Sequence, residues 1–159
     1  MKRDIFIDNN IASKFNNPAD VNYKELTKWL LDNHNIPSSG EDDRAYLVVS
    51  NKLLAEYGRS CSLARGATAI TIIVDKLTKD GRLIKINNNQ IKDFKAKYFT
   101  KTIQKKLQSN TEDREHIPVV LLSNRKYALI RDKKFASDLK NFPGFIVLVS
   151  DRPENIPYK

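Results

Sequence analysis

The chain has 159 residues, 40% of them hydrophobic, enough for one compact domain with its own core and too few for several. Its 28 Lys and Arg outnumber 19 Asp and Glu, for a net charge of +9, which favours an anionic partner such as nucleic acid over an acidic protein or a neutral metabolite. A lone cysteine, Cys61, excludes an internal disulfide and lies in no recognisable nucleophile setting, and no apolar run approaches the roughly 18 residues that span a bilayer. The brief apolar stretch in the opening MKRDIFIDNN is too short for a signal segment, so a cytoplasmic protein away from membranes is expected.

In chain order, Asp4 to Asp8 (DIFID) reads as a buried strand, and Val21 to Asn33 as a helix with Tyr23, Leu26 and Leu30 on one face. Tyr46 to Ser50 (YLVVS) is a second strand running into a helix, Asn51 to Arg59, that carries Glu56. The spacing of Ile70, Ile73, Val74 and Leu77 predicts a helix over Ala67 to Lys79, stopped by Asp80-Gly81. Leu83 to Asn87 (LIKIN) is the third strand. Gln90 to Leu107 reads as one Lys-rich helix, Gln108 to Glu112 as a polar loop and Ile117 to Asn124 as a helix. Tyr127 to Ile130 is a strand, Phe135 to Phe142 a helix and Phe145 to Val149 (FIVLV) the last strand. Residues 1–150 are thus expected to form a single domain, with 151–159 an irregular tail rich in proline.

Strands rich in Ile and Val alternating with helices define an α/β fold, a three-layer α/β/α sandwich with a mainly parallel central sheet. In such sheets the chemistry gathers beyond the carboxyl ends of the strands. Asp8 ends the first strand, and Asp132 follows the Tyr127 to Ile130 strand. Glu56 lies a turn or so into the helix after the second strand, and Asp113 precedes or opens the helix before the fourth. All four can therefore meet at one edge. Taken singly, each could instead be a helix cap, a common use of an acid at a strand end or in a first helical turn.

The segments FIDNN (Phe6 to Asn10), NKLLAEYGR (Asn51 to Arg59), DREH (Asp113 to His116) and IRDKKF (Ile130 to Phe135) resemble, in order and spacing, the four acidic motifs of PIN-domain ribonucleases. The resemblance covers nearly the whole chain. It departs from the family pattern at Asn9 and Ile130, where hydroxyl residues are usual, and Glu112 or Glu115 stands as an alternative to Asp113. It implies a PIN-like fold and metal-dependent endoribonuclease activity with Mg2+ or Mn2+, hard ions suited to carboxylate oxygen. Asp8 and Asp132 would be direct ligands, and Glu56 and Asp113 would bind metal or orient the attacking water. Asn10 would support Asp8. The partners so implied are RNA, an antitoxin or other protein, and a second copy in a homodimer.

Arg59, Arg65, Arg131, Lys133 and Lys134 adjoin the acidic motifs, while Lys97, Lys101 and Lys105 recur every four residues and would share one helix face, so these are the candidates for gripping phosphates. His34 and His116 are too far apart in sequence for a local metal pair, and neither is assigned a role. An alternative is a catalytically inactive PIN-like module that binds RNA or a protein. A response-regulator-like domain is disfavoured, because Leu83 to Asn87 is followed by Asn and Gln where a phosphoacceptor Asp would be needed. The absence of a glycine-rich phosphate loop and of a G-x-S-x-G elbow argues against nucleotide-driven enzymes and serine hydrolases.

Overall fold

The computed structural model describes residues 1–16, 19–35, 40–63 and 69–159. Within them, strands β1 (Arg3–Ile7), β2 (Ala45–Val49), β3 (Leu83–Lys85), β4 (Tyr127–Leu129) and β5 (Leu148–Ser150) form one sheet in the order β3-β2-β1-β4-β5. Every neighbouring pair is parallel, and Phe6 of β1 stands opposite Val48 on one side and Ala128 on the other. Ile5, Phe6 and Ile7 are fully buried, as are all five residues of β2, which is why these strands read as unbroken apolar runs. Each such side chain contributes about 1.5–3 kcal/mol of burial.

The helices are α1 (Asn9–Ala12), α2 (Val21–Asp32), α3 (Asn51–Leu63), α4 (Ala69–Lys79), α5 (Asn88–Tyr98), α6 (Lys101–Lys106), α7 (Thr111–Arg114), α8 (Ile117–Leu121) and α9 (Lys133–Lys140). The chain steps one way from β1 to β2 to β3, then crosses back to β4 and β5. Right-handed crossovers therefore place α2 and α4 on one face and the helices after β3 on the other. Accordingly, α2 and α4 pack on each other and on β2, while α8 packs on β2 together with α5, and α9 covers β5. The result is the expected three-layer α/β/α sandwich, with a sheet that is wholly parallel.

Several boundaries differ from the sequence reading. The Lys-rich stretch is two helices, because the Thr100 side chain accepts the Ile103 N–H at 3.2 Å and starts a new helix after Tyr98. Lys97 thus lies on α5 whereas Lys101 and Lys105 lie on α6, so the three lysines do not share the face of one helix. Within the predicted polar loop, the Asn110 side chain accepts the Asp113 N–H at 2.8 Å and opens α7. The edge strands are shorter than expected, with β3 ending at Lys85 and β5 starting at Leu148. The C-terminal segment contains a 3-10 turn at Pro153–Asn155 and buries Ile156 and Tyr158, the latter 5.0 Å from the Trp29 ring.

Two buried charges hold the frame. Arg82 is fully buried, and its guanidinium donates to the carbonyls of Leu30 (2.6 Å), Ala45 (3.0 Å) and Asn33 (3.2 Å) and to Asp80 (3.0 Å). It thereby satisfies the orphan carbonyls at the end of α2 and ties them to the start of β2. Gly81, at φ +66°, makes the turn that delivers Arg82 there, as Asp80-Gly81 predicted. Asp4 accepts from the backbone N–H groups of Asn124 (2.7 Å) and Arg125 (2.9 Å), fixing the turn into β4.

Candidate active site

The strand order reverses direction at β1 and β4: the segment after β1 leaves across one face and the segment after β4 across the other. A crevice opens between them at the carboxyl ends of the strands. Asp8 follows β1 and Asp132 follows β4, its neighbour in the sheet, and the Asp8 N–H donates to the Leu129 carbonyl at 2.9 Å, joining the ends of the two strands. Asp8 is 5% exposed and occupies the N-cap position of α1 without capping it through its side chain. Asp132 does act as a cap, its Oδ1 accepting the Phe135 N–H at 2.9 Å.

Glu56 arrives by way of α3. Leu53 and Tyr57 are buried one turn apart, Ser50 accepts the Leu53 N–H at 3.2 Å, and the Tyr57 hydroxyl donates to the Ile7 carbonyl at the end of β1. Anchoring Tyr57 to the residue before Asp8 brings its neighbour Glu56 to the same edge. Asn9 reinforces this, exchanging hydrogen bonds of 2.8 and 3.1 Å with Ser60 one turn further along α3. Asp113 is half-buried in the first turn of α7, facing the cluster. Of its two alternatives, Glu112 pairs with Lys52, which also lies 3.5 Å from Glu56, and Glu115 pairs with Lys95.

The electrostatics record this convergence. Asp8 has its carboxyl raised from 3.8 to about 6, chiefly by burial and further by the charges of Asp113 and Glu56, against the opposing pull of His116 and the Asn9 backbone N–H. Asp113 is also raised, by burial and by Asp132 and Glu56. Burial pushes Glu56 up as well, but the hydrogen bond from His116 and the charge of Lys52, 3.5 Å away, outweigh it and leave Glu56 below the ordinary range.

The remaining candidates are placed less centrally. Asn10 is exposed on α1, its backbone carbonyl accepting the Ser13 hydroxyl at 3.0 Å. Arg59, Lys97, Lys101, Arg131, Lys133 and Lys134 are all exposed, and Arg65 lies outside the described residues, as does the side chain of Cys61. Lys133 and Lys134 line a groove with Gln108, Asn110 and Asp132, directly beside the crevice. A second groove next to Glu56 is lined by Lys52, Asn88, Ile91, Lys92, Lys95 and Glu115.

Two residues at the site escaped the sequence reading. His116 is 1% exposed, with Nε2 at 3.0 and 3.1 Å from the Glu56 oxygens, and ligand atoms of Asp8, Glu56 and His116 all lie within 4.8 Å of one another, close enough to hold a metal ion. Its place three residues after Asp113 was the available signal, since that spacing shares a helical face. Lys52 precedes Glu56 by four residues, the other spacing that makes helix neighbours.

A three-layer α/β/α sandwich on an all-parallel five-stranded sheet is a PIN-like fold. The chain is similar in fold to the solved structure of VapBC2 from Rickettsia felis bound to a DNA fragment from its promoter, with a TM-score of 0.55 and 18% sequence identity over 92% of this chain and 98% of that one. No protein-family model matches the sequence, and no curated protein matches it in a sequence search.

Proposed function

We propose that the protein is a metal-dependent endoribonuclease of PIN type. The observation that supports this reading is the electrostatic linkage of acids from separate segments: burial, with the charges of Asp113 and Glu56, raises the Asp8 carboxyl to about 6, and Asp132 and Glu56 in turn raise Asp113. Carboxylates held in such conflict are relieved by a divalent cation, and an oxygen-rich donor set suits Mg2+ or Mn2+. When bound, such an ion acidifies a coordinated water and neutralises charge on the scissile phosphate.

In this reading Asp8 and Asp132 serve as direct ligands, while Glu56 and Asp113 bind metal or orient the attacking water. Asn10, at the mouth, supports Asp8 from the adjacent turn. Lys133 and Lys134 occupy the first turn of α9, where positive charge opposes the helix dipole and acids are absent. Breaking that local rule beside the crevice fits a phosphate grip, which Arg131 and Arg59 would extend along the basic surface, with Lys97 and Lys101 as further contacts and Arg65 retained as a candidate from the sequence alone. The fold likeness to a protein solved as a VapBC pair on promoter DNA supports a second partner, a small DNA-binding antitoxin.

The test is incubation of end-labelled single-stranded RNA with the purified protein and Mn2+, followed by analysis of the new termini. Because the nucleophile is a water and not the substrate's own 2′-hydroxyl, the products carry no 2′,3′-cyclic phosphate. Cyclic termini, or cleavage that persists in EDTA, would refute a metal-activated water at this site. Salt-sensitive RNA binding without cleavage would identify an inactive binding module.

A further inference from the structure

His116 has a defined environment that the proposed chemistry leaves unused. Its ring lies between Phe6, 5.8 Å away, and Phe135, stacked at 6.3 Å, so its orientation is locked. Nε2 points at both oxygens of Glu56, at 3.1 and 3.0 Å. Nδ1 is sealed from solvent and meets no hydrogen-bond partner among the described residues.

These surroundings fix where the proton resides. A proton on Nδ1 would be a buried donor with no acceptor, and it would leave the Nε2 lone pair facing a carboxylate. A proton on Nε2 is shared between two carboxylate oxygens, and only a lone pair is left in the aromatic pocket. The same reasoning bears on metal ligation. A cation on Nε2 would force the proton onto Nδ1, whereas ligating histidines donate their other ring N–H to an acceptor. No such acceptor faces Nδ1 among the described residues.

We infer that His116 is a positioning residue, the Nε2–H tautomer that aims the Glu56 carboxylate, and that it is not a metal ligand despite lying within ligand distance of Asp8 and Glu56. The alternative partner for Glu56 is Lys52, 3.5 Å from Oε1 and on the same helix. Without the imidazole donor, the carboxylate turns toward that ammonium and away from the crevice. The tautomer stands on geometry alone; its consequence for metal binding rests on the proposed reading of Glu56 as a ligand.

The test uses the full chain labelled with 15N-histidine, whose two histidines are separated by a His34→Gln control. Long-range 1H–15N correlation should show His116 protonated on Nε2 and bare on Nδ1, with and without Mg2+. A proton on Nδ1 in either state would overturn the inference. In parallel, pulsed EPR of the Mn2+-loaded protein should show no directly bound imidazole nitrogen, and a 14N coupling that disappears on uniform 15N-histidine labelling would overturn it. His116→Gln, whose amide N–H can reach Glu56, should keep Mn2+ affinity within a few-fold, while His116→Leu should lose about 10- to 100-fold. Equal loss in both variants, or none in His116→Leu, would contradict the positioning role. Should the wild type bind no Mn2+, the metal reading of the site fails, and the tautomer is still decided by the nitrogen shifts.

Discussion

The backbone N–H of Asp8 donates to the carbonyl of Leu129 at 2.9 Å, joining the end of β1 to the end of β4 at the point where the two chain segments diverge. Through the backbone itself, this bond makes Asp8 and the segment that leads to Asp132 leave from adjacent strand ends. The position of the crevice is therefore as rigid as the sheet.

A raised Asp8 carboxyl makes the metal-free protein pH-sensitive in a definite direction. The folded state holds a proton up to about pH 6 that the unfolded chain releases near 3.8, so this stabilisation is complete in acid and is lost as pH rises through about 6. The loss is of order 2–3 kcal/mol. In EDTA, the Asp8→Asn protein should therefore be the more stable of the two at pH 8, with the difference vanishing below about pH 4. Thermal denaturation of both proteins across this range measures it. A wild type more stable than Asp8→Asn at pH 8 in EDTA would be inconsistent with a repelled, desolvated carboxylate.

Metal binding should displace that proton. Calorimetric titration with Mn2+ at pH 6, in two buffers of different ionisation heat, should reveal release of about half a proton from Asp8, plus any contribution from Asp113, which is raised too. At pH 8 the release should be close to zero. Equal release at both pH values would point to ligands other than these carboxylates.

Arg82→Ala should cost at least about 3 kcal/mol, because the change removes a buried guanidinium and leaves the Leu30 and Ala45 carbonyls without their donor. Urea denaturation gives the value directly. A loss under about 1 kcal/mol would mean that α2 and β2 are joined by packing alone.

Replacing Lys133 and Lys134 together by Ala should leave folding intact, since both are exposed. If each contacts one phosphate of single-stranded RNA, the slope of log K against log salt should fall by about 1.4. An unchanged slope would move the RNA path to the other side of the crevice, along Lys52 and Lys92.

The sequence analysis anticipated what depends on local pattern. DIFID and YLVVS are largely apolar on both faces, so the central parallel strands could be read directly, with Asp8 at the end of β1 and Glu56 on the helix after β2. What depends on a single cap or on tertiary contact was not read. Thr100 interrupts a helix whose Lys-rich pattern continues past it, through a local side-chain bond from the Ile103 N–H. Asp113 was the acid read from DREH, with Glu112 or Glu115 as alternatives; in the fold each alternative pairs with a lysine from another segment, Glu112 with Lys52 and Glu115 with Lys95. His116 was weighed only against His34, too far away in sequence for a local pair, while its actual partner, Glu56, lies 60 residues earlier. The one local mark was its place three residues after Asp113, and burial between two phenylalanines left none.

The most direct test of the proposed activity is cleavage of labelled mixed-sequence RNA in Mn2+ by the wild type, by the wild type with EDTA, and by separately purified Asp8→Asn. Cleavage by the first alone is the predicted result. Undiminished cleavage by Asp8→Asn would contradict the assignment of the crevice as the active site.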